Sequence, residues 1–126
     1  MGAQSADELE ITEVARAYLE SWLDGDGERM RSALNPMLAK RGLDYAKDGA
    51  PEGLHDLDAD YMVGSAARGP RTQFDRMCEV TILDIATAIA SVRVGSEPFV
   101  DYLHLAKLNG RWSIVNVLYE DRHPGI

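Results

Sequence analysis

The 126 residues hold one cysteine, three histidines, two tryptophans and few cations. A lone cysteine, Cys78, rules out an internal disulfide and any thiolate-cluster metal site. His55, His104 and His123 lie far apart with no ligand spacing, so no metal and no cofactor is expected. Thirteen Lys and Arg face 21 Asp and Glu, a net charge of −8. Phosphate backbones and anionic membranes require clustered cations, so neither nucleic acid nor membrane is expected as a partner. No apolar run approaches the ~20 residues that span a bilayer. The N-terminus carries no charged and apolar leader pattern. The default expectation is a soluble cytoplasmic protein, with the acidic excess serving solubility.

Apolar residues make up 45% of the chain, enough for a core in one domain spanning residues 1–126. Ser5 and Glu8 match a capping box. Ile11, Val14, Ala15, Tyr18 and Trp22 then recur on one face of a helix that should end at Asp24-Gly25. Asp26 can cap a second helix to about Leu34, which Asn35-Pro36 stops. A short strand is expected within Met37–Tyr45 and a polar loop from Asp44 to Gly53. A third helix starts at Asp56 or Asp58, runs to Ala67, and should bury Tyr61 and Met62. Strands are expected at Met77–Ile85 and Ala88–Val94, with turns at Ala86-Thr87 and Gly95–Pro98. Helices first and strands second indicate an α+β fold, helices packed on one face of a bent antiparallel sheet.

The best-defined stretch is Pro98 to Tyr119, two apolar-rich runs joined at Asn109-Gly110, the signature of a type I′ hairpin. Carrying that register outward puts Asp101, Leu103, Leu105, Trp112, Ile114, Asn116 and Leu118 on one face. Tyr102, His104, Ala106, Ser113, Val115, Val117 and Tyr119 take the other. The first face is the more apolar and is expected to meet the helices, which makes Asp101 and Asn116 polar intruders in a core. A buried carboxylate must be bonded, paired or protonated. Asp101 could line a pocket as a general base or acceptor; alternatively it is structural, bonded to an upstream backbone group or an arginine, and this simpler reading is favoured. Tyr18, Trp22, Tyr61 and Trp112 are the aromatic candidates to line the same pocket beside Asn116, although helical aromatics are more often plain core. The second face, with two tyrosines and two valines around His104, suits contact with a second copy. Asp24 and Asp26 are better explained as caps than as metal ligands, and Cys78 as a small buried hydrophobe.

Three stretches carry a family resemblance: Tyr18 with Gly25-Asp26, Asn35-Pro36, and Phe99 to Asn116. On them the chain resembles the nuclear transport factor 2-like superfamily and, within it, the bacterial group labelled putative lumazine-binding. The resemblance implies a cone-shaped α+β barrel, N-terminal helices in a bent sheet, with a cavity open at one end and a homodimer formed through the sheet. Asp101 and Tyr102 match the group's pattern. Asn35 stands where the group usually has histidine, and Val117 where it tends to have lysine, so no polar role carries over to either position. Such cones host isomerases, dehydratases and cyclases as well as non-catalytic domains, so the fold does not choose a function. Three functions are open. The first is a homodimer that binds a small, largely apolar or aromatic molecule. The second is a cofactor-free isomerase, cyclase or dehydratase with Asp101 as acid/base and Tyr18, Asn116 or Tyr61 as donor. The third is a dimerisation module without chemistry.

Overall fold

The Asn109-Gly110 turn starts the sheet's register. Both residues have positive φ, 51° and 77°, as a type I′ turn requires. The turn joins β5 (Phe99–Leu108) to β6 (Arg111–Asp121), paired Leu108 to Arg111, Lys107 to Trp112 and Leu105 to Ile114. These are two central strands of a sheet ordered β2-β1-β6-β5-β4-β3, with β1 at Leu34–Tyr45, β2 at Pro51–Leu57, β3 at Glu79–Ile85 and β4 at Ile89–Gly95. The computed structural model describes residues 5–124. Neighbouring strands are antiparallel except β1 and β6, which run parallel. The sheet is therefore mixed, a detail the expected antiparallel sheet did not include.

Helix α1 (Ala6–Asp24) opens with the expected capping box: Ser5 Oγ accepts from the Glu8 amide and Glu8 Oε1 from the Ser5 amide, each at 3.1 Å. Gly25 ends it at φ 80°. No side chain could replace that glycine, because a Cβ would stand 2.8 Å from the Gly69 carbonyl carbon. Asp26 caps α2 (Gly27–Ala33), and Asp58 caps α3 (Ala59–Ala67). All three helices lie on one face of the sheet, with α1 against β6, β4 and β3, α3 against β1, and α2 between the other helices. The α+β expectation holds. Ile11, Met30, Leu103, Leu105, Trp112 and Ile114 are fully buried between the layers, each contributing roughly 1.5–3 kcal/mol.

Three expectations need correction. Asp44–Gly53 is not a free loop: β1 runs on to Tyr45 and turns into β2, so the supposed short strand is twelve residues long and lies inside the sheet, between β2 and β6. Pro51, Glu52 and Gly53 are weak strand formers, and pairing with β1 overrides that preference. Tyr61 is not buried; it is 49% exposed at the first turn of α3.

The third correction concerns the hairpin's faces. The expected register holds from the turn to Leu105–Ile114, and then Val115 stands unpaired, so that His104 faces Asn116, Leu103 faces Val117 and Asp101 faces Tyr119. One extra residue reverses the alternation beyond it. Val117 and Tyr119 turn toward the helices. Asn116 and Leu118 turn away, and Asn116 meets His104 on the outer face at 3.2 Å. β1 breaks step at the same level: Leu34 pairs with Ile114 but the next partner, Ala39, pairs with Asn116. Pro36, which has no N–H for the ladder, lies in that break, and Asn35 Oδ1 accepts from the Met37 amide at 2.8 Å.

Candidate functional site

Beyond the Val115 bulge the inner face of the sheet and the helices enclose a cavity of about 240 Å³. Helix α1 contributes Tyr18, Leu19 and Trp22, α2 Met30, and α3 Tyr61, Met62 and Ser65. The sheet contributes Lys40 from β1, His55 and Leu57 from β2, Phe99 and Asp101 from β5, and Tyr119 from β6. Most of this lining is apolar or aromatic. Trp22 stacks on Phe74 with centroids 5.7 Å apart, meets Phe99 edge-on at 5.4 Å, and Phe99 meets Tyr119 edge-on at 5.3 Å. Arg71 covers the Trp22 ring at 4.2 Å and donates to the Trp22 carbonyl, fixing the ring from behind.

A line of three buried polar groups crosses the cavity wall. Lys40 Nζ donates to Tyr18 Oη at 2.6 Å, and Tyr18 donates to Asp101 Oδ2 at 2.7 Å. Each of the three side chains comes from a different element, and each is under 8% exposed. The ammonium also lies over the rings of Tyr18 and Tyr119, 5.0 and 4.6 Å from their centroids. Desolvation is the largest influence on all three groups. It raises Asp101 against the opposing pull of Lys40 and the Tyr18 hydrogen bond. It lowers Lys40 to about 8, against the pull of Asp101. It raises Tyr18 well above the usual phenol value, with the Asp101 charge adding to the effect. Burial thus presses both ends of the line toward their neutral forms.

A second polar set sits at the cavity's rim. His55 Nδ1 is 2.7 Å from Asp44 Oδ1, and its Nε2 is 2.9 Å from Tyr119 Oη. A carboxylate only accepts, so Nδ1 carries the proton and, in the neutral ring, Nε2 accepts from Tyr119. Burial pushes the Tyr119 phenol up to about 12. Gly42 makes this meeting feasible. It pairs with His55 on one side and Tyr119 on the other, and a Cβ there would stand 2.4 Å from the Tyr119 ring. The two rings meet across the space a side chain would fill.

Of the residues singled out from the sequence, Tyr18, Trp22, Tyr61 and Asp101 come together here. Asp101 is buried against the cavity, and its partner is a tyrosine hydroxyl, neither the backbone nor the arginine of the simpler reading. Asn116 and Trp112 do not reach the cavity. The bulge sends Asn116 outward. Trp112 lies toward the turn, where Asp7 accepts from its indole N–H and from Lys107 Nζ, each at 2.9 Å. Glu10 accepts from the Trp112 backbone at 2.9 Å. The Trp112 and Lys107 bonds hold the Asp7 carboxyl below its ordinary value. Lys40, His55, Phe99 and Tyr119 were missed. A buried carboxylate calls for a partner, and the alternation of Leu38, Lys40 and Gly42 puts Lys40 on the inner face, so that one could have been found. Among the described residues no group of three or more His, Cys, Asp or Glu could hold a metal ion. None of the described helices is long and apolar enough to cross a membrane.

Residues 6–120 match the protein family described as putative lumazine-binding. No curated protein matches the sequence. Among solved structures, a nuclear transport factor 2-like protein of unknown function from Shewanella baltica is 23% identical, with 98% of this chain aligned to 99% of that one and a TM-score of 0.74. A protein of the same description from Methylobacillus flagellatus is 27% identical over 95% of this chain and 96% of its own, with a TM-score of 0.68. A ketosteroid isomerase-like protein from Erwinia carotovora is 13% identical over 96% and 100%, with a TM-score of 0.64. A cystatin-like fold from Nostoc punctiforme superposes with a TM-score of 0.66.

Proposed function

The chain belongs to the putative lumazine-binding family, and from that membership and the cavity's chemistry we propose that it binds a small, largely apolar or aromatic molecule between helices and sheet, as a homodimer. The observation that carries this reading is the composition of the cavity: aromatic walls around one buried line of donor and acceptor, Lys40, Tyr18 and Asp101. Ligand sites have this make-up, apolar surface for affinity and a few placed polar groups for orientation. At about 240 Å³ the cavity is smaller than most sites for drug-sized ligands, so a ligand of one or two fused rings fits better than a four-ring steroid. Ile89, Tyr102 and Leu118, large apolar side chains exposed on the outer face of the sheet, support pairing of two copies there.

A thermal-shift screen of pteridines, flavins, aromatic polyketide fragments and steroids tests the proposal. Stabilisation by one- and two-ring aromatics is expected. No stabilisation by any class sinks the binding reading, and a monomer in light scattering at high concentration sinks the dimer.

A second reading is favoured by one observation, a buried Asp101 carboxyl that lines the cavity and accepts from Tyr18: a cofactor-free isomerase, cyclase or dehydratase with Asp101 as acid/base. Proton exchange from a bound ketone into deuterated solvent, abolished in Asp101→Asn, is its expected signature. Exchange that survives this substitution refutes it.

A further inference from the structure

We infer that Lys40 is a covalent anchor for carbonyl compounds: its amine condenses reversibly, inside the cavity, with an aldehyde or ketone group on an apolar or aromatic ligand to give an imine. The inference rests on the reading of the cavity as a ligand site and adds the functional group that the ligand carries.

The sequence has three lysines, Lys40, Lys47 and Lys107. Lys47 is exposed, and Lys107 is bonded to Asp7 on α1. Lys40 alone is buried and lines the cavity. The hydrogen bonds from Lys40 Nζ through Tyr18 Oη to Asp101 Oδ2, 2.6 and 2.7 Å long, form a proton path of one relay. The ammonium gives a proton to the Tyr18 oxygen while the Tyr18 proton passes to Asp101. A charged pair thereby becomes an amine and a carboxylic acid, with no change in the cavity's net charge. Desolvation drives this exchange from both ends, since it lowers Lys40 from 10.5 to about 8 and raises Asp101. The lysine shift alone corresponds to a neutral-amine fraction about 300-fold above that of an ordinary lysine near neutrality. A lysine desolvated among apolar groups is the usual form of an amine nucleophile. The rings of Tyr18 and Tyr119 hold it in place.

The step balances without an oxidant or reductant. The Lys40 lone pair attacks the carbonyl carbon, and a C–N bond forms as the C=O π bond breaks. The oxygen takes the proton of the Asp101 acid, and the nitrogen returns one proton to Asp101 through Tyr18. Asp101 then protonates the hydroxyl, which leaves as water while the nitrogen lone pair closes the C=N bond. The product is a protonated imine beside an Asp101 carboxylate, so the original pair of charges is restored.

The full chain is incubated near pH 7 with 2-naphthaldehyde and cyanoborohydride, and the reduced adduct is located by peptide mass mapping. Labelling of Lys40 at least about tenfold above Lys47 and Lys107 is expected from the larger amine fraction; equal or weaker labelling of Lys40 overturns the inference. Tyr18→Phe keeps the ring and removes the relay. It should slow Lys40 labelling about tenfold or more and leave Lys47 unchanged, whereas an unchanged rate at Lys40 overturns the relay. Lys40→Arg, which keeps a cation beside Asp101, should lose the cavity adduct altogether, and an undiminished total adduct counts against the assignment. A parallel thermal shift with 2-naphthalenemethanol, which has no carbonyl, separates this inference from the reading beneath it. Stabilisation by the alcohol without trapping of the aldehyde at Lys40 refutes the imine and leaves the cavity as a ligand site. Neither effect refutes both.

Discussion

Near its turn the last hairpin pairs in the register that Asn109-Gly110 sets, and it packs Trp112 against the start of α1. Beyond Val115 the same two strands pair one residue out of step, and that half delivers Asp101 and Tyr119 to the cavity. The near half is held by a local turn and by Asp7 and Glu10. The far half is held by side chains from three other elements, Tyr18 on α1, Lys40 on β1 and His55 on β2. The difference teaches where the chemistry of this chain resides. The half whose geometry follows from its own sequence is a structural clamp. The half that needs a bulge and three other elements is the one with buried charge.

Inserting one alanine between His104 and Leu105 attacks the contrast most directly. It would give the unpaired Val115 a partner and carry the near register through the far half, turning Asn116 and Leu118 inward and Asp101, Val117 and Tyr119 outward. A loss of about 4 kcal/mol or more in denaturant unfolding is expected, and an insertion variant within about 1 kcal/mol of the parent would erase the distinction.

Lys40→Met comes next. It leaves Asp101 buried without its cation and should cost about 3 kcal/mol, with part of the loss recovered on adding Asp101→Asn in a double-mutant cycle. The same lysine sets a pH signature. It holds its proton up to about 10.5 when unfolded but only to about 8 when folded. Between those values the unfolded chain binds more protons, so stability rises with pH. Above pH 10 Tyr119 acts in the opposite sense, because its folded value is pushed up to about 12. Stability should therefore climb from pH 8 to about 10 in the parent and lose that climb in Lys40→Met.

Gly42→Ala is expected to cost about 2 kcal/mol, because the new methyl displaces the Tyr119 ring from His55. Ultraviolet titration should then find Tyr119 ionising at a lower pH than in the parent, where burial pushes it up to about 12; no change would mean that the ring does not depend on the missing side chain.

Trp112→Phe gives the smallest effect, about 1 kcal/mol for the lost bond to Asp7. Ligand-induced thermal shifts should be untouched, since Trp112 lies in the near half. A weakened ligand response in this variant would show that the two halves are not separable.

The fold was legible because its signals are local. Ser5 with Glu8, Gly25, Asp26, Asp58 and Asn109-Gly110 each act within a few residues, and each is found in its expected role. The site was legible only in part. Tyr18 and Trp22 follow from helical spacing, and Asp101 from its place on an apolar face. Asn116 was misplaced because Ile114-Val115 fits either alternation and nothing local marks Val115 as the extra residue. The break in β1 opposite it is signalled by Asn35-Pro36, which reads equally well as a helix stop. His55 was hidden because the strand that carries it looks like a loop until β1 is beside it, and Tyr119 because the bulge reversed its face.

Trp22 and Trp112 are the two tryptophans of the chain; Trp112 belongs to the near half of the hairpin, and Trp22, on α1, packs on Phe99 of the far half. Trp22 borders the cavity under the guanidinium of Arg71, while Trp112 is 1% exposed and tied to Asp7. The molecule thus carries two built-in optical reporters with separate duties. Emission from Trp22 should answer to whatever enters the cavity, and emission from Trp112 to whether the chain is folded. Recorded in Trp112→Phe and Trp22→Phe respectively, the two signals would let occupancy and unfolding be followed separately, one in each variant, without an added dye.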